Sequence, residues 1–170
     1  MMIKPTAKAG EAKRAPDQVR QVDAPAAARA LTTLSRVDYT DAFLVNAGSA
    51  EDRSGEEWAR ATLEGAPAHV RKGLRRGWMA LGLKLDRVGS DRSVLGWELR
   101  HSDAEFAILG CDSRIGMPAE LLFKLDRGEL LFVTFVQQRN PIARAVWAAV
   151  GPKHRQIVPR LLGRAAVRKE

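Results

Sequence analysis

The run from Gly128 to Arg139, GELLFVTFVQQR, constrains this chain more than any other stretch, because its Leu, Phe and Val residues occupy both parities. A strand with one wet face alternates apolar and polar, whereas a run apolar on both parities belongs to the centre of a sheet. It is also too short to cross a membrane. Asn140-Pro141 then supplies a capping side chain and a proline at the first helical position, and Ile142, Val146, Ala149, Val150, Ile157 and Leu161 recur at helical spacing. A central strand that feeds an amphipathic helix predicts a helix laid on a sheet. Pro152 and Pro159 predict a kink near Gly151.

Upstream, the sequence reads as further parts of the same domain. Residues 1–34 hold no large apolar residue between Ile3 and Leu31 except Val19 and Val22, which predicts a disordered basic tail. Order is expected from near Val37, with Tyr39 to Val45 as the first strand. Ser54-Gly55-Glu56-Glu57 is a capping-box pattern opening a short helix, and Pro67 opens a second. In that second helix Val70, Leu74, Trp78 and Leu81 form an apolar stripe, with Arg71, Lys72, Arg75 and Arg76 expected on the opposite, exposed side.

The remainder alternates as an antiparallel meander. A two-residue turn at Ser102-Asp103 predicts the pairs His101 with Ala104, Leu99 with Phe106 and Trp97 with Ile108, which turns Trp97, His101, Ile108 and Asp112 inward and Cys111 outward. Leu121, Phe123 and Leu125 are the next inner set. A three-residue turn at Asp126-Arg127-Gly128 then assigns Leu131, Val133, Phe135 and Gln137 to the inner face, whereas a two-residue turn would choose Leu130, Phe132 and Thr134, and the choice rests on the turn alone. The fold class expected is α+β, an antiparallel sheet with two short helices and a long C-terminal helix.

At 170 residues and 45% apolar content the chain suits one domain, expected over 35–166 with a short C-terminal tail at 167–170. The single cysteine, Cys111, excludes an internal disulfide and a Cys-rich zinc site. The N-terminus has no signal-peptide apolar region, so a cytoplasmic location is expected. Charge is unevenly spread: residues 37–66 carry −5, residues 67–82 carry +4 and residues 139–170 carry +7. The two basic blocks are predicted helices, suited to a solvated face or to an anionic surface or nucleic acid. Nucleotide-loop spacing, a nucleophile elbow and metal-ligand spacing are all missing, so no cofactor and no metal is expected.

Gly110, Asp112 and Arg114 in GCDSRIG, and Asn140, Arg144, Trp147, Pro152 and His154 in NPIARAVWAAVGPKHRQIV, together with the element order, resemble the helix-grip fold of the START-like, or SRPBCC, superfamily, which includes pollen-allergen-type proteins and polyketide cyclases. More narrowly, residues 37–166 are similar to a bacterial family of unknown function near that superfamily. They depart from it at Ala143 and Val146, where glycine and tyrosine are usual. The resemblance implies an apolar pocket between the sheet and the C-terminal helix. Trp97, Ile108, Phe123, Phe135 and Trp147 are its expected walls, and His101, Asp112, Gln137 and His154 its expected polar groups. The expected function is a binding module for a small apolar ligand. The alternatives are a cyclase- or dehydratase-type enzyme using His101, Asp112 or His154 as acid and base, and an interaction protein whose basic helices meet an anionic partner.

Overall fold

The two-sided apolar run becomes β7 (Glu129–Val136) of a computed structural model that describes residues 18–167. It lies between β2 (Tyr39–Asn46) and β6 (Ala119–Asp126), inside a seven-stranded antiparallel open sheet. The other strands are β1 (Val19–Val22), β3 (Ser93–Val94), β4 (Trp97–Ser102) and β5 (Phe106–Cys111), and the order across the sheet is β1-β2-β7-β6-β5-β4-β3. The helices are α1 (Ala26–Arg29), α2 (Gly55–Leu63), α3 (Ala68–Ala80) and α4 (Pro141–Ala166). The fold is α+β and compatible with the helix grip.

Both faces of the sheet are covered, as β7 requires. Phe43, Val45, Leu109, Phe123, Leu130 and Phe132 form the core with α2 and α4. On the opposite face Ala42, Ile108, Leu122, Leu131, Val133 and Phe135 pack against Ala28 and, more loosely, Leu31, Leu34 and Val37. That second cover corrects the expectation of a tail disordered to residue 34. Val19 and Val22 pair in register with Val45 and Ala42, and the segment after them crosses the sheet as a strap. Two well-placed valines and Ala28 suffice because the sheet supplies the apolar partner surface. Residues 1–17 and 168–170 lie outside the described residues.

The strap is fastened by a buried acid. Glu120 is fully buried on the strap face and accepts from the Thr32 hydroxyl at 2.5 Å, the Thr33 N–H at 3.0 Å, the Thr33 hydroxyl and the Arg100 guanidinium at 3.1 Å. A carboxylate taken out of water is tolerated only with such a full set of donors. Gly110 makes the reach feasible, since a Cβ there would lie 2.1 Å from Arg100 Nε.

Three expected registers change. The β6–β7 turn is the two-residue Arg127-Gly128, with φ of +49° and +79° and Asp126 paired with Glu129, a type I′ geometry. This moves Leu130, Phe132 and Thr134 to the helix face and sends Leu131, Val133, Phe135 and Gln137 to the strap face. In the β4–β5 hairpin the turn begins at Asp103, whose carboxylate accepts from the N–H groups of Glu105 and Phe106. A bulge between Leu99 and His101 pairs His101 with Ile108 and Leu99 with Leu109. Finally, the buried residues of α4 are Ala143, Trp147, Gly151, Val158, Leu161, Leu162, Ala165 and Ala166, so that of the expected stripe Leu161 is buried and Val146 and Val150 are half-buried, while Ile142 is 66% exposed. The helix runs unbroken through both of its internal prolines.

Deleting residues 1–34 is therefore expected to lower the melting temperature by on the order of 10 °C, because it removes β1, the strap and three donors to Glu120. Thermal unfolding followed by circular dichroism checks this, and an unchanged melting temperature would mean that the strap is dispensable.

Candidate functional site

Asp41 interrupts the apolar β2 on the same parity as Phe43 and Val45, and it pairs across the ladder with Thr134 of β7. Both side chains therefore face α4. Gly151, one turn on from Trp147, leaves room for that ring: a Cβ there would lie 3.3 Å from the Trp147 indole nitrogen. His154, about two turns beyond Trp147, reaches the sheet. Its Nε2 lies 3.1 Å from Asp41 Oδ2 and 3.1 Å from Thr134 Oγ1. The Tyr39 hydroxyl donates to the same Asp41 oxygen at 2.7 Å, and Arg155 donates to the Tyr39 oxygen at 3.2 Å. The Tyr39 and Trp147 rings are 4.8 Å apart, and the Trp147 and His154 rings 5.3 Å apart.

Burial pushes the Asp41 carboxyl up, but the hydrogen bond and charge of His154 and the hydroxyls of Tyr39 and Thr134 outweigh it, so the group stays below its ordinary value. Burial, reinforced by Asp41 against the opposing Arg155, pushes the Tyr39 phenol up to about 12. Two polar atoms of the cluster are left over. Asp41 Oδ1, an acceptor, and Trp147 Nε1, a donor, are buried and have no partner among the described residues. His154 is partly open, its side chain 21% exposed, and Tyr39 and Arg155 beside it are half-buried.

The expected site residues divide between the two faces. Trp97, Phe123, Trp147 and His154 belong to the helix face, but Trp97 packs edge-on against Trp78 at 5.5 Å rather than near Trp147. Three strands separate β4 from β2, about 20 Å at the usual strand spacing. Ile108 and Phe135 are strap-face core, and Gln137 donates to Ser35 beneath the strap. The bulge puts His101 on the surface, stacked on Phe106 at 4.3 Å and 2.7 Å from Asp103, whose carboxyl it helps draw down to about 2. Asp112 is exposed and pairs with Arg100. Cys111, expected outward, is instead buried on the helix face. Its thiol, donating to the Lys84 carbonyl, is pushed up to about 12 chiefly by burial.

The two described cavities lie elsewhere. One, of about 540 Å³, is lined mainly by charged residues where Ser54 and Glu57 meet Lys124 and Gly128. The other, of about 320 Å³, lies under α1 between Ala28, Leu44 and Leu131. Among the described residues no group of three or more His, Cys, Asp or Glu side chains is placed to hold a metal ion, and no helix is long and apolar enough to cross a membrane. Comparison with protein-family models, with curated proteins and with solved structures finds no match.

Tyr39, Asp41, Thr134 and Arg155 were absent from the expected set. A legible signal was Asp41 itself, a charge on the apolar parity of a strand. His154→Ala is expected to cost about 3 kcal/mol near neutral pH by leaving Asp41 without its main partner. Because the folded Asp41 carboxyl lies below its ordinary 3.8, its contribution is fully present above that value and is lost as pH falls through the folded value. The stability gap between the wild type and Asp41→Asn, measured by urea unfolding, is thus expected to be full near neutral pH and to shrink as pH falls below the ordinary carboxyl value of 3.8.

Proposed function

We propose that this chain is a START-like binding module that holds a small, mainly apolar ligand carrying one hydrogen-bonding group, between the sheet and α4. The observation that carries the reading is the unpaired Asp41 Oδ1, in a residue only 6% exposed. An unpaired buried acceptor costs about 1–3 kcal/mol, and a ligand donor that reached it would recover that loss. The unpaired Trp147 N–H complements it, so a hydroxyl or amide that both donates and accepts suits the pair. Tyr39 and Trp147 offer aromatic walls for the apolar body. Much of the remaining helix-face volume is taken by Phe43, Val45, Phe132 and Leu162, so the ligand would enter beside His154 rather than lie along the whole helix.

A second reading, a cyclase- or dehydratase-type enzyme, is favoured by the way Asp41 and Thr134 hold one nitrogen of His154, the arrangement by which a carboxylate orients an imidazole base. Native mass spectrometry of protein purified from its host is expected to reveal a retained small molecule that Asp41→Asn releases. Protein at its bare mass, with no thermal shift on exposure to apolar alcohols and amides, would count against the binding reading.

A further inference from the structure

We propose that the outward face of α3 is a docking surface for the phosphate backbone of double-stranded nucleic acid. This helix of 13 residues has none that is fully buried. Its inner side, Val70, Leu74 and Trp78, is half-buried against the domain. Arg71 donates to the carbonyls of Glu64 and Ala66, and Arg75 to that of Leu95. Those two guanidiniums, expected in an exposed stripe, instead tie the helix down. Lys72 and Arg76 are different: both are exposed, and neither has an ion-pair or hydrogen-bond partner among the described residues.

Around them the face is small and cationic. Gly73 and Gly77, each next in sequence to one of the two cations, border it on the side of Val70, and a Cβ at either would meet no atom within 4 Å. Glycine inside an exposed helix weakens it relative to alanine, and no contact within the domain requires glycine at these two positions. What their missing side chains permit is close approach by an outside body, flanked by two cations one helical turn apart. Residues 67–82 carry +4 with no acidic residue among them. Past the helix end, the Arg114 N–H donates to the Gly82 carbonyl at 2.7 Å, which brings exposed Arg114, and with it exposed Lys84, alongside.

Charge complementarity makes the partner anionic, and the composition of the face selects among anions. Seating on a membrane surface uses several apolar side chains beside the bases, and among the described residues of this face Met79, seven residues on from Lys72, is the one large apolar side chain. A single strand would use aromatic platforms for stacking, which the face lacks. A duplex backbone asks only for cations and close approach.

Fluorescence anisotropy of the full chain with a labelled mixed-sequence duplex tests this. Binding is expected at about 50 mM salt, with a steep loss by about 200 mM. The K72Q/R76Q variant is expected to bind about tenfold more weakly, with the slope of log K against log salt reduced by about 1.8, roughly 0.9 for each lost cation. The G73A/G77A variant is expected to melt at a higher temperature yet bind the duplex more weakly, a combination that damage to the fold does not produce. Absence of salt-dependent binding, or binding unchanged in both variants, would overturn the proposal. So would binding to phosphatidylglycerol vesicles with none to the duplex, which would make this a membrane-facing surface.

Discussion

Burial of β7 on both faces is the constraint on which the rest of the molecule depends. Each large side chain it carries is worth about 1.5–3 kcal/mol when removed from water, so neither face can be left wet. One face is met by α2 and α4. The other has no long helix available, and the chain covers it with the strap that follows β1. Glu120 belongs to this solution: a charged residue in a strand otherwise committed to the core is tolerable because the strap brings Thr32 and Thr33 over it while Arg100 reaches it from β4.

Close packing of helices on the sheet depends on missing side chains. At the start of α2, a Cβ on Gly55 would come within 2.6 Å of the backbone of β5 and of β6, so the helix rests directly on the strands. Over β2 and β7, Ala143, Trp147 and Gly151 are buried on the sheet side of α4, and His154 on the same helix meets Asp41 at 3.1 Å. The two segments that carried the family resemblance also meet. Asn140 caps α4 by accepting from Ala143 and donates to the Ile115 carbonyl, and a Cβ on Gly116 would strike its amide nitrogen at 2.4 Å. Asn140 and Gly116 thus have structural work, and the polar cluster of the candidate site is assembled partly from residues outside those segments.

The basic character of the chain likewise separates into two kinds of residue once partners are known. Arg71, Arg75 and Arg100 are fastenings, each bonded to backbone carbonyls or carboxylates of the domain. Lys72 and Arg76 have none of these obligations, although they alternate with Arg71 and Arg75 in the sequence. A helix angle of 100° per residue is enough to put neighbours in sequence to different uses.

The α+β class, the central position of β7, the Ser54 capping box, the Asn140 cap and the limits of β2 were legible in the sequence, because each follows from local patterning or from side-chain chemistry a few residues apart. What needed the tertiary structure were the choices in which local alternatives are nearly equal in energy. Strand β7 is apolar on both parities, so its pattern could not say which set faces α4. Two positive φ angles at Arg127 and Gly128 decided it. The bulge beside Arg100 turned His101 outward, against an alternation that read smoothly through it. The buried stripe of α4 went to Ala143 and Gly151 over the larger Ile142, because the distance between helix and sheet is set by their packing and not by the helix alone. The meeting of Asp41 with His154, 113 residues later, follows from that distance and from the register of β2 on β7. Neither quantity is written in any local stretch of the chain.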